Sequence, residues 1–262
     1  MPALTGKTAL VTGSTSGIGH AIASALADAG ANVMLNGFGE KDAIDRIRRD
    51  FAAKPGIKTG YSPADMAKPA EIRQMVADTA KQLGSVDILV NNAGIQFVAP
   101  IVDFPEDKWD AIIAVNLSAA FHATKAALPL MRKKRWGRVV NTASGHGLVA
   151  SVEKAAYVAA KHGIIGLTKV TALEVANDGI TCNAFCPGWV RTPLVEKQIQ
   201  ARAKASGKPV EQEAKEMVAE KQAMHSFVTV EQLAGLVLFL CSPAADTITG
   251  TAIPMDGGWS AQ

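Results

Sequence analysis

Residues 12–19 read Thr12-Gly13-Ser14-Thr15-Ser16-Gly17-Ile18-Gly19 and stand between an apolar segment and an Ala-rich one. The preceding residues, 8–11, have the β-branched and apolar character of a buried strand, and the Ala-rich residues up to Gly30 are typical of a helix. The glycines allow a tight turn and a close approach of the backbone to a ligand. Because free N–H groups at a helix start attract phosphate, the stretch predicts a strand, a phosphate-binding loop and a helix.

The same alternation continues along the chain. Apolar runs at residues 32–35, 86–90, 139–141 and 180–185 are separated by longer segments with helical periodicity. This pattern predicts a parallel sheet with helices on both faces, and the continuous hydrophobicity fits strands that are buried on both sides. We therefore predict the α/β class, with residues 1–262 forming a single Rossmann-like, doubly wound domain. Its ligands should bind beyond the carboxyl ends of the strands.

Two segments depart from this alternation. Residues 192–226 are rich in Ala, Lys, Glu and Gln and contain the break Gly207-Lys208-Pro209, which predicts two helices. We expect these helices to form a small lid over the site; the alternative is a pair of surface helices without function. Residues 249–258 predict a final strand and turn.

Composition limits the class of protein. A chain of 262 residues that is 48% hydrophobic can bury one large core. The net charge of +3 is small, and the basic residues 132–135 are interpreted as a solvated helix end rather than a binding patch, so we expect no nucleic-acid partner. Apolar runs such as residues 236–241 are much shorter than a membrane span, which predicts no membrane partner.

The cysteines and the N-terminus indicate a cellular compartment. Cys182, Cys186 and Cys241 lack CxxC spacing and nearby His partners, so we expect reduced thiols and no zinc site. No cluster of His, Asp and Glu suggests any other metal. The chain enters its first strand almost at once, without the apolar region of a secretory signal. A soluble, cytoplasmic protein is the expectation.

Tyr157 and Lys161 form the most distinctive chemical pair in the sequence. The chain has only two tyrosines, and this one precedes a lysine by four residues, a spacing that places both side chains on one helix face. A free phenol titrates near pH ~10, and a neighbouring cation lowers that pKa. We therefore predict Tyr157 as the proton-transferring group with Lys161 as its electrostatic support. Ser144 ends a predicted strand, where its hydroxyl could hold the reacting oxygen.

These motifs together resemble the short-chain dehydrogenase/reductase family. The resemblance rests on the Gly-x-x-x-Gly-x-Gly spacing at 13–19, on residues 91–94 (Asn-Asn-Ala-Gly), and on the lead of Ser144 over Tyr157. It implies hydride transfer with a nicotinamide cofactor. It also implies that Asn116 completes a catalytic set with Ser144, Tyr157 and Lys161 by anchoring a water, within a helix that would otherwise run straight.

The resemblance further implies which residues contact the cofactor. Asp65 matches the position that touches adenine in relatives, and Val190 and Thr192 match the contacts of the nicotinamide carboxamide. The implied cofactor set is Gly13, Thr15, Ser16, Gly17, Ile18, Gly19, Phe38, Asp65, Asn92, Ala93, Gly94, Tyr157, Lys161, Pro187, Gly188, Val190 and Thr192.

The residues after the second strand indicate the choice between NAD and NADP. Many NAD-using relatives have an acidic residue there, whereas this chain has Asn36-Gly37-Phe38-Gly39. However, no Arg or Lys lies within residues 14–16 or 36–39 to neutralise the 2′-phosphate of NADP. We predict NAD.

Four polar residues indicate the substrate. Gln96, His146, Lys154 and Gln198 are each ambiguous alone, but together they offer a cation and hydrogen-bond donors without an acid, which suits a small carboxylate. Trp189 would supply an apolar wall. Residues 144–157 are similar to those of bacterial family members that oxidise (R)-3-hydroxybutyrate. That similarity implies reversible oxidation to acetoacetate, with the four polar residues around the carboxylate and Ser144 and Tyr157 at the reacting oxygen.

Two other functions stay open at this point. One is a reductase of another keto substrate, such as a 3-oxoacyl thioester, for which NADP would be expected. The other is a non-catalytic nucleotide-binding scaffold, which would not need Asn116, Ser144, Tyr157 and Lys161 together. Relatives are usually tetramers, so the resemblance also implies a homotetramer.

Overall fold

The computed structural model describes residues 3–261, and its centre is one parallel sheet of seven strands. The strands are β1 (Thr8–Val11), β2 (Asn32–Asn36), β3 (Thr59–Ser62), β4 (Ile88–Asn91), β5 (Gly137–Thr142), β6 (Ile180–Pro187) and β7 (Ala252–Met255). They lie in the order β3-β2-β1-β4-β5-β6-β7, and every neighbouring pair is parallel. The predicted α/β class is confirmed.

Helices cover both faces of the sheet. They are α1 (Gly17–Asp28), α2 (Lys41–Ala52), α3 (Pro69–Leu83), α4 (Glu106–Ile113), α5 (Ala119–Lys134), α6 (Ala155–Val175), α7 (Pro193–Ser206), α8 (Val210–Ala219) and α9 (Val230–Leu240). Successive side chains of a strand point to opposite faces. Accordingly Val11 of β1 packs in the core that holds α1 and α9, whereas Leu10 packs in the core that holds α3 and α5.

The order of the strands places the ligand crevice. The chain builds β1, β2 and β3 in one direction and then returns to lay β4 on the other side of β1. Loops that leave β1 and β4 therefore diverge, which opens a crevice at the carboxyl ends of these two strands. The loop at residues 12–16 and the turn at residues 92–94 both lie there.

The sequence missed β3 and misplaced some strand ends. Residues 59–62 read Thr-Gly-Tyr-Ser and are only half-buried at the sheet edge, so they lack the apolar run used to find the other strands. β4 begins at Ile88 rather than at residue 86, and β6 continues to Pro187. Residues 192–226 do contain two helices, α7 and α8, and α7 ends at the left-handed Gly207.

One long helical stretch bears on the prediction that the chain has no membrane partner. Residues Glu106–Lys134 run as 29 helical residues and contain an 18-residue window with a mean hydropathy of 1.3, enough by length and composition to cross a membrane. α5 nevertheless packs against α3 and β5, and a core helix of a soluble protein meets the same criterion. The stretch therefore gives no argument for a membrane role.

Smaller expectations are met. The three cysteines are buried and free. The basic cluster forms the end of α5, where Arg132 pairs with Asp178 at 2.7 Å and Lys134 pairs with Asp87 at 2.8 Å. The Arg132 and Lys134 side chains are 50% and 43% exposed, which fits a helix end in solvent, and their charges stabilise the negative end of the helix dipole.

Candidate active site

A cavity of about 320 Å³ opens at the crevice between β1 and β4. The loop between β1 and α1, the turn after β4 and the segments that follow β2 and β3 form its walls. Eleven of the residues predicted to bind the cofactor line it: Gly13, Thr15, Ser16, Gly17, Ile18, Phe38, Asp65, Asn92, Ala93, Gly94 and Thr192.

Gly19 lies beneath this cavity and has no space for a side chain. A Cβ atom there would lie 2.3 Å from the carbonyl oxygen of Gly13 and 2.4 Å from Nδ2 of Asn92. The same Nδ2 donates to the carbonyl oxygens of Thr12 and Gly13 at 2.9 and 3.1 Å, which ties the loop to the turn after β4. The loop thus brings backbone close to the cavity at the start of α1, and this geometry fits a pyrophosphate.

The part of the cavity next to the end of β2 is polar, and no Lys or Arg among the described residues lines it. Oδ1 of Asn36 accepts the N–H of Gly13 at 3.2 Å, and Oγ1 of Thr15 donates to the carbonyl of Phe38 at 2.9 Å. The Phe38 side chain is 65% exposed. Among the described residues that line the cavity, Asp65 is the single charged one.

A second cavity, of about 110 Å³, adjoins the first and shares Ile18, Thr192 and Leu194 with it. It is lined by every residue predicted to bind substrate: Gln96, Ser144, His146, Lys154, Tyr157, Trp189 and Gln198. The cofactor candidates Pro187, Gly188 and Val190 line it as well. The structure therefore brings both predicted sets together at one crevice.

Ser144 and Tyr157 line this second cavity, and Lys161 lies buried next to Tyr157. Ser144 lies two residues after the end of β5 and hydrogen-bonds the Tyr157 phenol, while its Oγ accepts the N–H of His146 at 3.1 Å. Lys161 is buried one helical turn beyond Tyr157, with Nζ 5.6 Å from the centre of the Tyr157 ring. Nζ also donates to the carbonyl of Thr142 at 2.6 Å, which fixes the ammonium behind the phenol.

The pKa of Tyr157 differs from the sequence expectation. We expected Lys161 to lower it, but burial raises the pKa of the Tyr157 phenol above its ordinary value, against a smaller lowering by the hydrogen bond with Ser144. Burial also lowers the pKa of Lys161 to about 8. Desolvation thus disfavours the charged form of both groups.

Asn116 lies where the helical stretch departs from regular α-helical geometry. Residues Ala114–Ser118 form a wider π-helical turn between α4 and α5. The Asn116 side chain is buried there and pairs twice with the backbone of Ile95, accepting its N–H and donating to its carbonyl, both at 2.9 Å. The amide is therefore used to fix the segment after β4, and its water-anchoring role stays a prediction.

Lys154 is presented by a turn and not by the helix itself. It is the residue before α6, and Glu153 ahead of it has a φ of 63°, in the left-handed region that a residue other than glycine seldom adopts. Its Nζ lies 5.1 Å from the centre of the Trp189 ring. Burial first, and then the charge of Lys221, lower the pKa of Lys154 to about 8.

The uncharged polar side chains predicted to bind substrate line the same cavity as Lys154. Nε2 of Gln198, on α7, donates to Oε1 of Gln96 at 3.2 Å, so α7 contacts the segment after β4. Nε2 of His146 pairs with Oγ of Ser151 at 3.0 Å. Burial, reinforced by the charge of Lys154, lowers the pKa of His146 to about 3, so this ring is neutral at ordinary pH.

The sequence missed Trp259 as part of the site. This residue follows a glycine pair after β7, is buried, and lines the second cavity. Its ring meets the edge of His146 at 4.6 Å and stacks on Trp189 at 6.4 Å with an interplanar angle of 8°. An aromatic residue in a glycine-rich tail was the available signal, but nothing local indicates that the tail returns to the site.

Comparison with known proteins agrees with this geometry. A family model described as enoyl-(acyl carrier protein) reductase matches residues 13–260. The chain belongs to the short-chain dehydrogenase/reductase family, and it is an oxidoreductase that uses a nicotinamide cofactor.

Particular relatives share almost the full length. The chain is 59% identical to a D-beta-hydroxybutyrate dehydrogenase of Cupriavidus necator over 260 residues, which cover 99% of this chain and 100% of that protein. It is 56% identical to a protein of the same name from Rhizobium meliloti, with coverage of 98% and 99%. A crystal structure of an actinorhodin polyketide ketoreductase with NADPH matches with a TM-score of 0.90 and 32% identity, covering 98% of each chain.

Proposed function

We propose that this protein catalyses the NAD-dependent, reversible oxidation of (R)-3-hydroxybutyrate to acetoacetate. The observation that carries the proposal is the placement of Lys154, Gln96 and Gln198 in the same small cavity as Ser144 and Tyr157. This cavity offers a carboxylate anchor beside a proton-transfer pair. The names of the relatives from Cupriavidus necator and Rhizobium meliloti support this substrate.

Proton transfer is assigned to the Tyr157 phenol. In oxidation, Tyr157 as phenolate takes the proton of the alcohol while the Ser144 hydroxyl holds the same oxygen. The Lys161 ammonium stabilises the phenolate, which burial alone would disfavour. The nicotinamide, when bound, supplies the hydride acceptor. Residues 187–192 and the loop at residues 12–19 would hold the cofactor along the two adjoining cavities.

The carboxylate of the substrate is assigned to Lys154 and the two glutamine amides. A charged hydrogen bond from an ammonium to a carboxylate is stronger than one between neutral groups, and the surrounding tryptophans exclude water. His146 is neutral and adds a donor without a charge. This distribution favours a small acid over a 3-oxoacyl thioester, which would leave the partly buried Lys154 without an anion to bind.

NAD is assigned as the cofactor because the described lining of the first cavity contains no cationic side chain suited to the 2′-phosphate of NADP. We expect kcat/KM with NAD to exceed that with NADP by about 100-fold, which corresponds to the loss of one charge-assisted interaction of roughly 3 kcal/mol. The described lining offers the carboxylate of Asp65 and no Lys or Arg. The measurement is the steady-state rate with each cofactor at saturating 3-hydroxybutyrate. Equal or better use of NADP would contradict the assignment.

Substituting Lys154 tests the carboxylate anchor. In Lys154→Met we expect KM for 3-hydroxybutyrate to rise about 30-fold with kcat changed less than about threefold, since a hydrogen bond to a charged group contributes roughly 1.5–3 kcal/mol. Because the pKa of free Lys154 is about 8, the wild-type KM should rise above that pH and the KM of the variant should not. Lys81→Met, on the exposed side of α3, is the control. A flat wild-type KM profile across this range would oppose the role.

A homotetramer is part of the proposal. Phe121 on α5 and Val170 and Leu173 on α6 are 45%, 54% and 81% exposed. Exposed large apolar side chains on these two helices fit a surface that is covered in an assembly. Light scattering of the purified protein should give the mass of four chains, and a monomer at micromolar concentration would contradict the assembly.

A further inference from the structure

Gln222 lies between three segments that converge behind the substrate cavity. It follows the end of α8 and is only 1% exposed, although it does not line the cavity itself. Its Oε1 accepts the backbone N–H of Trp189 at 2.5 Å, and its Nε2 donates to the carbonyl of Ser226 at 2.7 Å. The oxygen and the nitrogen of this buried amide therefore both have hydrogen-bond partners.

The packing around Gln222 is tight. A Cβ atom at Gly188 would lie 2.3 Å from Oε1 of Gln222, and one at Gly257 would lie 2.9 Å from its Nε2. The N–H of Met224 also donates to the carbonyl of Gly257 at 2.8 Å. The loop after β6, the chain beyond α8 and the C-terminal turn thus share one buried side chain.

Trp189 depends on this contact for its position. Its indole Nε1 is buried and has no hydrogen-bond partner among the described residues. Polar bonds to Trp189 are made through its backbone instead: the N–H to Gln222, and the carbonyl to the N–H of Val228 at 2.9 Å. The position of its ring rests on these bonds, on the stacking against Trp259, on the contact with Lys154 and on packing against the buried cluster of Ile199, Ala214 and Met217.

The C-terminal turn holds the second ring. Asp256 is buried, and its carboxylate accepts the backbone N–H of Gly258 at 3.1 Å and the N–H and hydroxyl of Ser260 at 2.9 and 2.5 Å. These bonds fix the turn that carries Trp259. The two stacked rings therefore meet over the cavity from two separate segments, and Gln222 packs against both segments.

We propose that Gln222 is a positioning residue. It fixes the position of the Trp189 and Trp259 rings at the substrate cavity and so tightens binding of a small substrate. Gln222 acts through the backbone of Trp189 and touches neither substrate nor reacting atoms. The inference rests on the proposed 3-hydroxybutyrate activity for its kinetic readout, whereas the stacking of the two rings provides a readout independent of that activity.

The test is Gln222→Met, which keeps the volume and removes both hydrogen bonds. We expect KM for 3-hydroxybutyrate to rise about tenfold with kcat within about threefold of wild type, because displacement of a binding wall by a fraction of an ångström weakens substrate placement. We also expect the near-ultraviolet circular dichroism of the stacked tryptophans to diminish. Gln74→Met, on the exposed side of α3, is the matched control and should change neither quantity.

Two further variants separate positioning from general stability. Gln222→Glu keeps an acceptor for the Trp189 N–H and should retain the tryptophan signal and a KM within about threefold of wild type, even if its melting temperature falls; it also serves if Gln222→Met does not fold. In a Trp259→Phe background, Gln222→Met should add less than about twofold to KM, because residues that act through one contact are not additive.

Opposite results would overturn the inference. These are an unchanged tryptophan signal in Gln222→Met, a KM in Gln222→Glu as high as in Gln222→Met, or additive effects with Trp259→Phe. If the wild-type protein does not turn over 3-hydroxybutyrate, the proposed function fails, and the tryptophan signal of Gln222→Met still decides whether Gln222 positions the two rings.

Discussion

Replacing Tyr157 by phenylalanine is expected to lower kcat for oxidation by about a thousandfold, within the range for loss of a general acid–base group. The change removes one oxygen atom and keeps the ring that meets the edge of His146 at 5.9 Å. Ser144 still faces the substrate oxygen, but its hydroxyl cannot take the proton in place of the phenolate. NAD binding and the melting temperature should remain close to wild type.

Single-turnover rates with saturating cofactor provide the measurement for Tyr157→Phe. They separate the chemical step from product release, so a slow release cannot hide the loss. If this variant retained more than about a tenth of the wild-type rate, proton transfer would have to be assigned to another group. A parallel loss of NAD binding would instead indicate that the phenol holds the cofactor rather than the proton.

Replacing Lys161 by methionine is expected to lower kcat about a hundredfold at neutral pH and to raise KM for NAD. Burial raises the pKa of Tyr157, and the ammonium behind the ring is the charge that opposes this effect when the phenolate forms. Removing a cation raises the phenol pKa further. The pH at which oxidation reaches half its maximal rate should therefore move upward in Lys161→Met.

The pH profile of kcat distinguishes this role from a structural one. Loss of the bond between Nζ and the carbonyl of Thr142 would lower the rate equally at every pH, because it would only disturb packing. A shift of the profile toward high pH shows that the charge of Lys161 acts on the phenol. Lys81→Met should leave the profile in place. An unshifted profile in Lys161→Met would contradict the electrostatic assignment.

The parts of the site that follow one another in the chain could be predicted from sequence. The loop at residues 12–19 and the pair Tyr157 and Lys161 depend on local spacing, so their placement at the crevice follows once the strand order is known. β3 could not be found in this way, because Thr59-Gly60-Tyr61-Ser62 forms a strand through pairing with β2 rather than through its own hydrophobicity.

Features that depend on contacts between residues far apart in the chain were not predicted from the sequence. Trp259 reaches the site because the chain after β7 folds back toward His146, and Gln222 is important only because Trp189 lies against it. The direction of the Tyr157 pKa shift was wrong for a related reason. Spacing reveals that a lysine is near, but only the packed structure shows that the phenol is buried and that burial raises its pKa.

The central claim is that the protein binds one small hydroxy acid in this cavity and oxidises it with NAD. The most direct test is the initial rate of NAD reduction with (R)- and with (S)-3-hydroxybutyrate. Because Lys154 anchors one end of the substrate and Ser144 and Tyr157 hold its oxygen, one enantiomer alone can direct its hydrogen toward the cofactor. We predict turnover of the (R) form and a rate at least about 100-fold lower for the (S) form. No turnover of either form, or equal rates for both, would contradict the account.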